Sequence, residues 1–384
     1  MRLQGSCWIF TKWLFKEDMA MNILVYLGHP AQYHFFKNTL KNLVKDGNRF
    51  LILIKTKDIL EDLVREDGWE YENIQPKVRG GSILSILTAS LRRLAKVISR
   101  ARKFQADILV GTDSSIAQSA WLLRKSSITT LEDDVDVIRN LARLTYPFSS
   151  TILVPDVCHV GKWERKKIPY YGYMKLAYLH PSYFTPDRTV LERYNISGRY
   201  ILVRLARLTA HHDIGIKGLN TDLVLKIKSV AEKNGYNVYV SAEGDLDNRL
   251  KYNQLKIKFT DIHHIMAYAS MLVSDSQSMS MEAAMLGLPS LRFSDFAGRI
   301  SVLEELEKEY GLTFGIFTSE PEKLLDKVSE LLANHSLEDE FSQRRQKMLA
   351  EKIDVTAFLT WFLENYPQSR KIMKENPDYQ LRFK

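Results

Sequence analysis

The chain has 384 residues, which at ~150 residues per domain gives two to three domains and ample core without staples. Charged residues are 26% and hydrophobic ones 45%, with only 18 glycines, which excludes a disordered or collagen-like chain. The formal charge is +8, and two cysteines, Cys7 and Cys158, exclude a disulfide scaffold and suit a reducing compartment.

Residues 1–20 are basic and aromatic, but Lys12 interrupts any apolar core and no small-residue cleavage site follows, so a secretory signal is rejected. Two readings stay open: an upstream start codon with Met21 as the natural start, or a short interfacial helix. Asn22–Leu27 is an apolar run that ends in Gly28-His29-Pro30, a buried parallel strand entering a loop. Pro30 suits the start of a helix to about Lys45, and Gly47 suits its C-cap. Strands are then expected at Phe50–Ile54, Ile108–Val110, Ile128–Leu131 and Ile152–Val154, with helices at Ile83–Phe104 and Ile116–Arg124. Strand and helix patterns that alternate in this way define a parallel, doubly wound sheet.

The stretch between Glu72 and Asp107 holds no acidic residue. It carries Lys77, Arg79, Arg92, Arg93, Lys96, Arg100, Arg102 and Lys103. Its leucines and isoleucines recur at helical spacing, so one face packs on the sheet and the bases supply the other. An anionic membrane surface is the partner expected for that face. No nucleic-acid module occurs and no aromatic residues interleave with the bases, so nucleic acid is not expected.

From about Leu179 a Pro-rich, aromatic passage reads as the crossing between domains. A second series follows: strands at Tyr200–Arg204, Asn237–Val240, Met271–Val273 and Ser290–Arg292, with helices to Lys233 and at Ile262–Ala269 and Met279–Leu286. The tail after Ser319 is helical and aromatic, with Phe358, Trp361, Phe362 and Tyr366. The expected organisation is an extension at 1–20, a first α/β domain at 21–180, a second at 181–355, and a tail at 356–384 that returns to the first domain. No stretch reaches eighteen uninterrupted apolar residues, so no transmembrane helix is expected. The expected location is the cytoplasm, with peripheral docking on the inner face of the membrane.

Ligands of open parallel sheets bind beyond the carboxyl ends of the strands. The strongest signal there is Leu272–Arg292. A strand ends in Asp275-Ser276-Gln277-Ser278, a helix follows with Glu282 one turn in, and Gly287 and Pro289 close it. Free N–H groups and small hydroxyls at such a helix start make a phosphate site, and Glu282 is placed to hold two neighbouring ribose hydroxyls.

This segment resembles the donor-nucleotide site of GT-B enzymes, in particular the non-hydrolysing UDP-N-acetylglucosamine 2-epimerases. Still more closely it resembles the glycosyltransferase-like family called domain of unknown function 354. Gly28-His29-Pro30, His34-Phe35-Phe36-Lys37, Leu131-Glu132-Asp133-Asp134, Arg204 and His212-Asp213 extend the match over about Met21 to Tyr366. The resemblance implies an α/β GT-B fold, two Rossmann-like domains facing a central cleft. It implies Ser276, Gln277 and Ser278 on the diphosphate and Glu282 on the ribose. Asp113, Glu132 and His211 or His212 would line the sugar side. The chain departs from the epimerase pattern in two places. His29 stands where an arginine is expected, and Tyr146-Pro147 stand where a second glutamate is expected.

His29, on the loop after the first strand, is the expected base for an acceptor hydroxyl, with His34 as its competitor. Arg204 and Arg292 are expected to meet charge on a leaving diphosphate. Glu132, Asp133, Asp134 and Asp136 are read as sugar recognition rather than a metal site. His263 and His264 are candidates to border the nucleobase. The expected function is nucleotide-sugar-dependent glycosyl transfer to a glycan or lipid-linked acceptor, with no metal and no cofactor beyond the donor. Sugar-nucleotide 2-epimerisation and binding without turnover are the alternatives.

Overall fold

Two all-parallel sheets carry the chain in the computed structural model, which describes residues 20–76, 83–206, 218–242 and 246–384. Lys77, Arg79, His211, His212 and Asp213 lie outside these residues, as does the extension up to Met19.

In chain order the first half runs β1 (Asn22–Leu27), α1 (Pro30–Lys45), β2 (Arg49–Lys55), α2 (Leu60–Glu66), β3 (Tyr71–Gln75), α3 (Ile83–Phe104), β4 (Ile108–Gly111) and α4 (Ser114–Leu122). It continues with β5 (Ser126–Thr130), α5 (Arg139–Thr145), β6 (Thr151–Pro155), β7 (Lys167–Tyr170), α6 (Leu176–Leu179) and α7 (Thr189–Arg193). The second half has β8 (Tyr200–Leu205), α8 (Thr221–Lys233), β9 (Asn237–Ala242), α9 (Ile262–Ala267), β10 (Met271–Ser274), α10 (Gln277–Leu286), β11 (Ser290–Phe293) and α11 (Ser301–Lys308). It closes with β12 (Thr313–Ile316), α12 (Pro321–Ala333), α13 (Leu337–Glu351), α14 (Val355–Glu364) and α15 (Gln368–Glu375).

The first sheet has the order β3-β2-β1-β4-β5-β6-β7 and the second β12-β11-β10-β8-β9. Strand order reverses beside β1 and beside β8, and such switch points open a crevice at the carboxyl edge. β1 shows why its run is apolar throughout. Ile23, Val25 and Leu27 enter one core while Leu24 and Tyr26 enter another, all fully buried. Three strands lacked an expectation, β3, β7 and β12. Each is an edge strand with one neighbour and a short, mixed pattern.

α14 packs on α1 and α6. Thr356 Oγ1 donates to Ala177 O at 2.7 Å, and Phe358 meets the ring of Tyr170. No described helix is long and apolar enough to cross a membrane.

The basic helix differs from its expectation. On α3, Arg93 is buried, donates to Gln75 Oε1 at 2.8 Å and pairs with Asp113 at 3.1 Å. Lys96 donates to Ile74 O, and Arg100 pairs with Glu72 at 2.7 Å. These three bases fasten α3 to the sheet and to Asp113 rather than forming a free cationic face.

Candidate functional site

The loop expected to meet a nucleotide follows β10. Asp275 is buried, and its carboxylate accepts from Ala206 N at 2.7 Å and from Leu219 N at 3.2 Å. It therefore ties both flanks of the 207–217 segment to the start of α10. Gly218 allows this approach, since a Cβ there would lie 2.4 Å from Asp275 Oδ2. Ser276 is the N-cap of α10 and accepts from Met279 N at 3.4 Å. Helix geometry leaves the N–H groups of Gln277 and Ser278 without partners inside the helix, as a phosphate site requires. Gly287 ends α10 in the left-handed conformation at φ +75.

α10 is buried on nearly every side, from Met279 to Met285. Glu282 is thus no surface residue. Its Oε1 accepts from Tyr178 Oη at 2.6 Å, and its Oε2 lies 3.3 Å from His263 Nε2. Burial alone would raise its pKa. His263, Lys175 and the Tyr178 hydroxyl outweigh that and lower it to about 2. The carboxylate is ionised at neutral pH, and its remaining lone pairs are available to hydroxyls.

Tyr178 comes from α6, so this bond joins the two halves of the protein. His34 on α1 stacks on Tyr178 at 5.0 Å and meets His263 edge-on at 5.8 Å. Burial, helped by His263 and Lys37, lowers the His34 pKa to about 3, so it is neutral. Its Nδ1 is buried without a partner. His264 turns elsewhere: its Nδ1 accepts from Asp187 N and its ring lies against Phe184.

Glu132 and Lys175 form a buried ion pair at 2.8 Å, and Glu132 also accepts from Met174 N at 2.6 Å. No local pattern in the sequence marks Lys175 or Tyr178. Asp113 is the N-cap of α4, holds Ser115 N and Oγ, and pairs with Arg93. Asp134 accepts from His159 N at 2.8 Å and from Ser301 N at 2.8 Å, so it caps α11 across the domain seam. Among the described residues no group of three or more His, Cys, Asp or Glu is placed to hold a metal ion.

His29 is the N-cap of α1, and its Nδ1 accepts from Ala31 N at 3.2 Å. A backbone N–H can only donate, so the neutral ring carries its proton on Nε2. Surrounding protein, with Lys57, Lys175 and Lys55, lowers its pKa, although the ring edge is open to solvent. In this geometry His29 offers a donor, not a base, to a ligand. Serving as a base would cost it the cap.

Arg204, next to last in β8, donates to Ser241 Oγ at 2.7 Å. Arg292 departs from its expected role. It is 1% exposed, donates to Glu307 at 2.8 Å and to Thr313 Oγ1, and reaches Gln277 Oε1 at 3.4 Å. Its guanidinium supports the loop from below and fastens α11 and β12 together, so it does not face the cleft.

The fold is α/β, of GT-B type: two Rossmann-like domains facing a central cleft. No protein-family model matches the chain, and no curated protein matches it. Solved structures do. UDP-N-acetylglucosamine 2-epimerase from Rickettsia bellii superposes with a TM-score of 0.64 at 13% identity, over 95% of this chain and 100% of that one. The Methanocaldococcus jannaschii UDP-GlcNAc 2-epimerase, in complex with UDP-GlcNAc and UDP, gives 0.59 at 17% identity, over 82% and 93%. The glycotransferase of kitacinnamycin gives 0.56 at 13% identity, over 90% and 99%. At these identities the likeness is one of fold.

Proposed function

We propose that the protein is a nucleotide-sugar-dependent glycosyltransferase, acting in surface-glycan or lipid-linked saccharide synthesis without a divalent metal. The observation that carries the reading is the passage from β10 through the Ser276 cap into α10, with the ionised Glu282 one turn inside. It offers unpaired N–H groups to a diphosphate and a carboxylate to a ribose. The similar M. jannaschii structure holds UDP-GlcNAc and UDP, ligands of that chemistry. The motif order also resembles the family called domain of unknown function 354, a resemblance that rests on the sequence alone.

Two further observations favour transfer over epimerisation. Asp113 and Glu132, the carboxylates an epimerase-like reaction would use for proton transfer, are both ion-paired here. The second glutamate of that pattern is replaced at Tyr146-Pro147. In the transfer reading the acceptor hydroxyl attacks the anomeric carbon and the nucleoside diphosphate leaves. The start of α10 and Arg204 meet the charge that develops on it. His29 donates from Nε2 on the acceptor side, and His212 is the remaining candidate base. Epimerisation keeps support of its own, since several similar structures are UDP-GlcNAc 2-epimerases.

Incubation with UDP-GlcNAc alone separates the readings. No conversion, with nucleotide release only when an acceptor is added, is the expected result. Conversion without acceptor means epimerisation, and binding with neither means a sensor or scaffold. Activity should survive EDTA; loss that magnesium or manganese restores would reassign Asp133 and Asp134 to a metal. Glu282→Ala should weaken UDP binding by about 1–3 kcal/mol, the range for charge-assisted hydrogen bonds. Calorimetry on the folded variant checks this, and unchanged affinity sinks the ribose assignment.

A further inference from the structure

Helices α3, α4 and α5 contain no aspartate or glutamate. The same is true of the chain from α4 to Leu131 and from α5 to Pro155. α4 lies between the other two. Ser119 Oγ reaches Leu94 O on α3, and Gln118 Nε2 donates to Leu144 O on α5 at 2.9 Å. Leu91 is one turn before Leu94, and Trp121 and Leu122 are one turn after Gln118. The outer side chains of the three helices thus share a band about two turns tall.

That band is apolar and exposed. Leu91 is 56% exposed, Trp121 59%, Leu122 51% and Leu144 56%. Half of the strongly exposed large apolar side chains among the described residues stand here. Arg92, Arg124, Lys125 and Arg143 border them, exposed and with no acidic partner among the described residues, and Arg102 and Lys103 follow at the end of α3. Arg93, Arg100 and Arg139 are different, since each has its own carboxylate.

Single exposed leucines are ordinary, but a cluster ringed by unpaired cations is not. A second copy of the chain would bring like charges together across a two-fold contact. A nucleic acid would use the bases and leave the leucines in water. An anionic bilayer uses both: Leu and Trp enter the acyl boundary while Arg and Lys meet lipid phosphates.

We infer that the outer face of α3, α4 and α5 docks the protein on an anionic lipid bilayer. Each of these helices follows a strand, so each begins at the edge that borders the cleft, and docking holds the cleft beside the membrane. The inference does not depend on the nucleotide-sugar reading.

Co-sedimentation of the full chain with phosphatidylglycerol-containing vesicles tests it against phosphatidylcholine vesicles. Partition into the anionic vesicles should be at least about tenfold stronger and should fall with salt. The pair Trp121→Ser, Leu122→Ser and the pair Arg124→Glu, Lys125→Glu should each lose about tenfold. Both pairs are largely exposed, so the fold and UDP binding should be kept, and only the Trp121 pair, which leaves the ring of Phe148, should lower the melting temperature slightly. Equal partition into both vesicle types, no partition at low salt, or variants that bind like the parent would overturn it. So would self-association, or binding to acidic polypeptide or RNA, that these variants abolish while vesicle binding is absent.

Discussion

Lys175→Met should destabilise the protein by about 3–5 kcal/mol, the cost of leaving one member of a buried ion pair without the other. Both side chains are under a tenth exposed, and Glu132 would keep only the Met174 N–H. Burial by itself would lower the Lys175 pKa, yet Glu132, then Glu282 and Asp133, hold it above the usual lysine range. The charge is therefore part of the folded state at every physiological pH. The double variant Lys175→Met, Glu132→Gln should recover much of the loss, because the stranded carboxylate is gone. Urea denaturation of these two variants and of the single Glu132→Gln reads the coupling. A single variant that costs less than about 1 kcal/mol would show that water reaches the pair.

Acid should undo the fold early. His34 has a folded pKa of about 3 against 6.5 in the open chain, so it must be neutral to stay folded. A depressed histidine contributes nothing unfavourable above pH 6.5 and costs stability as pH falls from there toward 3. Between pH 6.5 and 4.5 the loss is about 2 kcal/mol, somewhat under the full linkage because the ring is not wholly enclosed. Glu282 adds a second window. Its folded pKa of about 2 lies below the ordinary 4.5, so its contribution is present above 4.5 and is lost as pH falls from 4.5 to 2. His34→Phe keeps the stack on Tyr178 and should lessen the slope in the first window only, because His29 and His264, lowered as well, still titrate there. Melting temperatures from pH 7 to 4 check this, and a parallel slope in the variant would remove His34 as the cause.

Much of the candidate site was legible because its signals are local. A strand that ends in small polar residues, a helix opening on Ser276, a glutamate one turn later and a glycine at the close are relations within a dozen residues. Backbone geometry alone imposes them. His29 was legible for the same reason, as the residue between a strand and Pro30. Its tautomer was not, because it turns on one hydrogen bond to Ala31.

The paired groups were not legible. Glu132 and Lys175 are 43 residues apart, Tyr178 and Glu282 are 104 apart, and Asp134 and Ser301 are 167 apart. Arg93 and Arg292 likewise read as free charges until the fold shows each paired with a carboxylate on another element.

The sheet orders divide along the same line. Interior strands such as β1, β4 and β10 are covered on both faces, so continuous apolar runs mark them in the residues themselves. Of the edge strands, β3, β7 and β12 have a single neighbour and carry no such run, whereas β9, also at an edge, keeps an alternating apolar pattern. Apolar periodicity and turn chemistry act over one or two turns of chain, so they write the elements and their ends into the sequence. Which charges meet, which basic residues face water and which helix is buried all round depend on how two domains pack, and that is set by contacts no stretch of residues contains.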